Sequence, residues 1–165
     1  MKSEAKSQLK KILGTYDDKV AAEERKVAAK RAADAAFPER FATLRAETIR
    51  PAIQEFVDVL TGHGHEAVAR EQEESSSTTG GVSFAAISLR LNPKPFAFKS
   101  TEANRSFIEI TFSANRNERK VTVSSTNTIV NSNGSLGKRG EYEIDAMTAE
   151  VVADHVLRTL QEALQ

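Results

Sequence analysis

The sequence contains no cysteine, and this absence excludes several kinds of structure and chemistry. The chain has neither a disulfide framework nor a thiolate metal site. Its 165 residues are enough for one domain to bury a core without such crosslinks. Covalent catalysis would require a serine, threonine or lysine nucleophile beside a base. No Gly-x-Ser-x-Gly elbow is present, and the serines cluster in predicted loops.

Long apolar runs are also missing from the chain. No stretch approaches the roughly 18 consecutive apolar residues that indicate a transmembrane helix. The polar start, Met1 to Lys6, does not resemble a signal peptide. We therefore expect a cytoplasmic protein with no membrane association.

The chain carries no net charge, but its charges are unevenly distributed. Counting Lys and Arg against Asp and Glu gives +3 for residues 1–36, −4 for 37–74, +6 for 75–140 and −5 for 141–165. The basic third segment is compatible with an anionic partner. It is also compatible with pairing to the acidic segments that flank it, which is the simpler interpretation. Both alternatives stay open at this stage.

Residues 4–36 are predicted to form a long helix, because Ala, Lys, Glu and Arg dominate them. One apolar row recurs at spacings of four, three and four: Leu9, Leu13, Tyr16 and Val20. Val27 continues the Leu13–Val20 series at seven-residue spacing. The other series fails, because Glu23 and Lys30 occupy the positions that follow Leu9 and Tyr16, so a long coiled coil is not predicted. Gly14 is the predicted weak point of this helix.

A second helix is predicted from about Pro38 to Thr61. A proline disfavours the helical conformation in the residue before it and suits the first turn of a new helix, so Phe37-Pro38 predicts a break or a bend. Pro51 lies inside the second helix and predicts a kink. Gly62 and Gly64 are the predicted stop.

The centre of the chain changes to the two-residue period of β-strands. Five segments are predicted to form an antiparallel meander: 65–73, 82–91, 107–113, 120–125 and 141–144. A last helix is predicted after Thr148, a natural N-cap, with Met147 and Val152 spaced as a hydrophobic staple. A run of strands with helices at both ends predicts the α+β class, with the second and last helices on one sheet face.

The predicted organisation is a helical arm, residues 1–36, followed by an α+β globular domain, residues 37–165. A helix over residues 4–36 would span roughly 50 Å. A body of the remaining size has a predicted diameter of roughly 36 Å. An unbroken arm would therefore overhang its own domain. We predict that its apolar row forms an interface in a homo-oligomer or with a protein partner.

Two short motifs resemble ligand sites, but each has a simpler interpretation. His63 and His65 would share one face of a strand, but a third metal ligand is missing. His155 is expected at the boundary of an apolar helix face. The glycine-rich segment 131–140 has the wrong spacing for a phosphate-binding loop and is predicted to be a hairpin turn. No metal and no other cofactor is predicted.

The basic middle segment carries an alternative function. Basic side chains interleaved with phenylalanines are typical of proteins that bind single-stranded nucleic acid. No helix-turn-helix and no RNA-recognition signature accompanies them. The predicted contacts for an anion or a nucleic acid are Lys94, Lys99, Arg116, Arg119, Lys120, Lys138 and Arg139.

Three functions are compatible with the sequence. The first hypothesis is a non-catalytic interaction or assembly protein that self-associates or docks a partner through its helical arm. The alternatives are a nucleic-acid-binding protein that uses the basic sheet segment 82–140, and an enzyme without a recognisable motif. No catalytic residue is predicted, so the sequence favours a non-catalytic role.

Overall fold

A computed structural model describes residues 3–94, 106–129 and 137–165 of the chain. Its contacts divide the chain into two units, residues 1–36 and 37–165. The helical elements are α1 (Ser3–Leu44), a π-helical turn (Arg45–Ile49), α2 (Arg50–Gly62), a 3-10 turn (Ile144–Ala146) and α3 (Ala149–Leu164). The strands are β1 (Glu66–Gln72), β2 (Ser75–Ser76), β3 (Val82–Ser83), β4 (Ala86–Asn92), β5 (Ile108–Asn115), β6 (Lys120–Asn127) and β7 (Gly137–Glu143). The predicted α+β class is confirmed.

The first helix continues through both positions where a weakness was predicted. α1 contains Gly14 and Pro38 and runs unbroken to Leu44, so the predicted break at Phe37-Pro38 is wrong. A proline inside a helix costs roughly 3 kcal/mol. Phe37 and Phe41 are 2% and 1% exposed, and burial of each contributes about 1.5–3 kcal/mol, which offsets that cost. Gly14 costs only about 1 kcal/mol among strong helix formers.

The kink predicted near Pro51 takes the form of the π-helical turn. Pro51 has no backbone N–H, and its ring crowds the carbonyl four residues earlier. The Arg50 N–H instead donates to the Arg45 carbonyl, five residues back. Buried positions recur every four residues along this run: Phe37, Phe41, Arg45, Ile49, Ile53 and Val57. Four residues advance by about 400° around a regular α-helix, so residues at this spacing move about 40° around the helix at each step. The wider π-helical turn advances less per residue and reverses part of this movement.

Five strands form one antiparallel sheet in the order β1-β4-β5-β6-β7. Every neighbouring pair is antiparallel, so the sheet is the predicted meander. β2 and β3 form a separate two-stranded hairpin in a segment with the composition of a loop. β7 begins at Gly137, within the predicted 131–140 turn, and residues 130–136 lie outside the described residues.

One face of the sheet packs against α2 and α3. β5 alternates between buried and half-buried residues along its whole length, as a strand with one covered face does. The sheet contributes seven residues to the main core: Ile87, Leu89, Ile110, Phe112, Ala114, Val121 and Val123. The Thr148 hydroxyl accepts the Val151 N–H at 3.3 Å, as the predicted N-cap requires. Met147 and Val152 are both buried, as a hydrophobic staple requires.

None of the helices in the described part of the chain is long and apolar enough to cross a membrane.

Candidate interaction surfaces

The predicted apolar row of α1 is exposed along its whole length. Its four side chains are 45%, 50%, 63% and 38% exposed at Leu9, Leu13, Tyr16 and Val20. Two further side chains extend it, at 64% and 47% exposure, namely Ile12 and Val27. At the 100° that each helical residue advances, all six fall within an arc of about 100°. We call these six residues the apolar stripe.

The apolar stripe is the surface of a single helix rather than a concave ligand pocket. The side chains that line the space beside Tyr16, Val20 and Val27 all belong to α1. Small-molecule sites are concave and bury most of the ligand, and the surface of one helix does not provide that. A second amphipathic helix can lay its apolar face along such a stripe. Ile12 was not included in the predicted row because it flanks the four-three-four spacing.

The predicted basic contacts are distributed over two ends of the sheet. Three of them flank the turn between β5 and β6: Arg116, Arg119 and Lys120. Lys94 follows β4 at the opposite end, and Lys138 and Arg139 lie in the edge strand β7. Lys99 lies outside the described residues. The structure therefore does not bring the described members of this set into one cluster.

Most of these basic side chains pair with acidic residues of the same chain. Ion pairs within the described residues include Arg116–Glu74 at 2.9 Å, Lys120–Glu143 at 3.9 Å, Lys138–Glu141 at 3.0 Å and Arg139–Glu162. All four acidic partners come from the two acidic segments, 37–74 and 141–165. The hydrogen bond from Lys138 holds the pKa of Glu141 below its usual range. An anionic ligand would have to compete with these partners, and the predicted anion contacts stay a prediction.

Arg139 lies on the helix-covered side of the sheet. Its side chain is only 9% exposed and binds Glu162 of α3 through two guanidinium nitrogens. Its Nε also donates to the Ser125 hydroxyl at 2.7 Å. Paired in this way, Arg139 connects the edge strand β7 to the last turns of α3.

His155, predicted at the boundary of the apolar face of α3, is buried. The residue is 6% exposed, and its Nε2 lies 2.6 Å from the Tyr142 hydroxyl oxygen. Its Nδ1 is buried and has no hydrogen-bond partner in the described part of the chain. Burial lowers the pKa of His155, and the charges of Arg158 and Arg139 lower it further. The apolar spacing of α3 did not indicate this, because His155 precedes a row member, Val156, by one residue.

The sheet face away from α2 and α3 is a polar surface of mixed charge. Small hydroxyl residues occupy six of its positions: Ser88, Thr111, Ser113, Thr122, Ser124 and Thr126. Ser88 donates to Glu109 at 2.7 Å, and the Arg90 guanidinium lies 3.7 Å from the centre of the Phe107 ring. A depression of about 430 Å³ is lined by Arg70, Ser88 and Glu109 among others. No histidine or lysine lines it, and the carboxylate of Glu109 is the group that accepts the Ser88 hydroxyl.

The described residues contain no group of three or more His, Asp or Glu side chains placed to hold a metal ion. His65, one of the two histidines considered above, uses its Nδ1 to accept the backbone N–H of Lys94 at 3.1 Å.

Comparison of the chain with known protein families, with curated proteins and with solved structures finds no match in any of the three.

Proposed function

We propose that this chain is a non-catalytic interaction or assembly protein of the cytoplasm that acts through the helical arm, residues 4–36. The partner that we propose is a second copy of the same chain. The observation that carries the proposal is the apolar stripe, six large apolar side chains exposed between residues 9 and 27. An exposed apolar row with polar residues around it is typical of a protein interaction site.

The energetic balance supports a weak, concentration-dependent dimer. Complete burial of one large apolar side chain contributes about 1.5–3 kcal/mol. The four residues of the row are about half exposed, so pairing would gain about 1 kcal/mol at each, or about 8 kcal/mol over two copies. Association itself costs about 4–15 kcal/mol. The gain exceeds the lower end of this cost by about 4 kcal/mol, so we expect a dissociation constant in the millimolar range or weaker.

Sedimentation velocity across a wide protein concentration range tests the proposal. We expect the wild-type protein to change from monomer to dimer as concentration rises. Leu13→Glu should remove the dimer, because it places a charge in the middle of the stripe. Leu157→Glu is the matched control, since Leu157 is also 50% exposed but lies on α3.

Two results would contradict self-association. One is a wild-type protein that stays monomeric at the highest concentration reached. The other is an equal loss of the dimer in the Leu13 and Leu157 variants, which would show that the stripe has no special role.

The nucleic-acid alternative has less support from the geometry. Four of the predicted basic contacts are already paired with carboxylates of the same chain. Fluorescence anisotropy of labelled single- and double-stranded oligonucleotides at two salt concentrations tests it directly. Binding that weakens steeply with salt would favour this alternative. Absence of binding at low salt would leave these residues with an intramolecular role only.

A further inference from the structure

We propose that the helical arm pairs with a second copy in an antiparallel orientation, in the register that places Leu9 opposite Val20 and Leu13 opposite Tyr16. In this register the numbers of two facing residues add up to 29. The inference rests on the proposed self-association and specifies its geometry. It is carried by the charged residues at both ends of the exposed row.

The row of four apolar residues is followed by a charged residue at each end, basic at the N-terminal end and acidic at the C-terminal end. Continuing the four-three spacing backwards from Leu9 reaches Lys6, and continuing it forwards from Val20 reaches Glu23. Both residues are exposed. In a parallel, in-register pair Lys6 would face Lys6 of the second copy and Glu23 would face Glu23 of the second copy. Like charges would then lie against each other in the interface. In the proposed register Lys6 faces Glu23 of the second copy, and symmetry forms this ion pair twice.

The positions that flank the seam show the same complementarity. Lys10 and Asp17 lie on one side of the row, and the antiparallel register places Lys10 close to Asp17 of the second copy, again twice. On the other side of the row, Ile12 comes close to Lys19 of the second copy. The aliphatic stem of a lysine covers apolar surface while its ammonium stays in water, so this contact also buries part of Ile12.

A neighbouring antiparallel register, shifted by one heptad, is less favourable. It would bury Val27 against Leu9, which adds apolar contact. It would also place Glu23 against Leu13 of the second copy. Asp17 would then approach Asp17 of the second copy across the symmetry axis. Unfavourable charge placement of this kind is what sets register and orientation in paired helices.

The charged residues of the proposed interface are available for pairing. Lys6, Lys10 and Asp17 form no ion pair within the part of the chain that the structure describes, and all three are exposed. Glu23 pairs with Lys26 at 2.9 Å, but the two side chains are 69% and 73% exposed. Such an exposed pair contributes little to stability, and Glu23 can exchange it for Lys6 of the second copy at small cost.

A charge exchange between positions 6 and 23 distinguishes the orientations. In the proposed register, Lys6→Glu and Glu23→Lys each convert two attractive contacts into two repulsive ones, so each should raise the dimer dissociation constant about tenfold. The double variant restores opposite charges and should return the constant to within about threefold of wild type. Lys11→Glu, which lies on the opposite side of the helix, is the control for the change in net charge.

A parallel dimer predicts a different result, because positions 6 and 23 never face each other in it. The double variant would then not recover, and the antiparallel inference would be wrong while self-association stood. A wild-type protein that does not dimerise in the sedimentation experiment would instead contradict the proposed function itself. The two failures are therefore distinguishable.

Disulfide trapping gives an independent reading, because the chain contains no cysteine of its own. A disulfide needs Cα atoms about 4.4–6.8 Å apart. A mixture of the Leu9→Cys and Val20→Cys variants should form the mixed disulfide on mild oxidation, and each variant alone should form little. A disulfide between two copies of the Leu9→Cys variant would indicate parallel pairing. A preferred disulfide between the Leu9→Cys and Val27→Cys variants would indicate the shifted register.

Discussion

Replacement of Gly140 by alanine tests how tightly the Tyr142–His155 pair is packed. A Cβ at this position would lie 2.9 Å from Tyr142 Cε2, 3.2 Å from the Tyr142 hydroxyl oxygen and 3.4 Å from His155 Cε1. The first distance is too short, so the tyrosine ring must move. That ring holds the hydrogen bond of 2.6 Å to His155 Nε2. Its displacement leaves both nitrogens of a buried imidazole without a partner among the described residues.

The expected cost follows from two opposing terms. Leaving a buried polar group without its hydrogen bond costs about 1–3 kcal/mol. Alanine restricts the unfolded chain more than glycine does, and this contributes about 0.4–1 kcal/mol in the other direction. The first term is larger. We therefore expect Gly140→Ala to lower the free energy of unfolding by about 1–2 kcal/mol, measured by urea denaturation followed by circular dichroism near pH 7.5.

A double-mutant cycle identifies the cause of this loss. Tyr142→Phe removes the same hydrogen bond without adding a Cβ. In that background the alanine has no hydrogen bond left to break. The double variant should therefore lose less stability than the sum of the two single losses, by about 0.5 kcal/mol or more. Gly14→Ala is the matched control, because no atom lies within 4 Å of its added Cβ. A Gly140→Ala protein as stable as wild type would refute the reasoning.

Stability should depend on pH through His155. Burial lowers the pKa of His155 in the folded protein, so the unfolded chain binds a proton first as pH falls. The free energy of unfolding should therefore be level above about pH 6.5, the ordinary pKa of histidine, and should decrease below it. His155→Gln should flatten the profile below about pH 6.5, and an unchanged slope would assign the effect to another group. Glu162→Gln should cost about 1–3 kcal/mol in urea denaturation, because it weakens the pair with the buried Arg139 guanidinium. Glu23→Gln should change the free energy of unfolding by less than about 0.5 kcal/mol, since both members of its ion pair with Lys26 are exposed. Equal effects of Glu162→Gln and Glu23→Gln would show that burial does not set the strength of these ion pairs.

Features that depend on neighbouring residues could be predicted from the sequence. Thr148 caps α3 because a hydroxyl before a run of helix formers satisfies a backbone N–H three residues on. The alternation in β5 follows from a strand that has one covered face. The apolar row of α1 was predicted in the same way, from spacing alone.

Features that depend on distant residues could not be predicted. The sequence indicated a break at Pro38, but the buried contacts of Phe37 and Phe41 outweigh the local preference of proline. Arg139 resembled a free basic residue because its partners, Ser125 and Glu162, are 14 and 23 residues away. His155 was expected at the edge of the apolar face of α3, and only the tertiary structure shows that it is buried and bonded to the Tyr142 hydroxyl.

The sequence by itself determined the α+β class, the meander, the cap of α3 and the apolar row of α1. Each of these follows from periodicity or from the chemistry of residues within one turn or one strand. Only the tertiary structure decided which charges are neutralised, which histidine is buried, and that the helix continues through Pro38. The physical reason is that burial and ion pairing depend on which distant segments meet, and the free energy of those contacts exceeds the local preferences that a sequence displays.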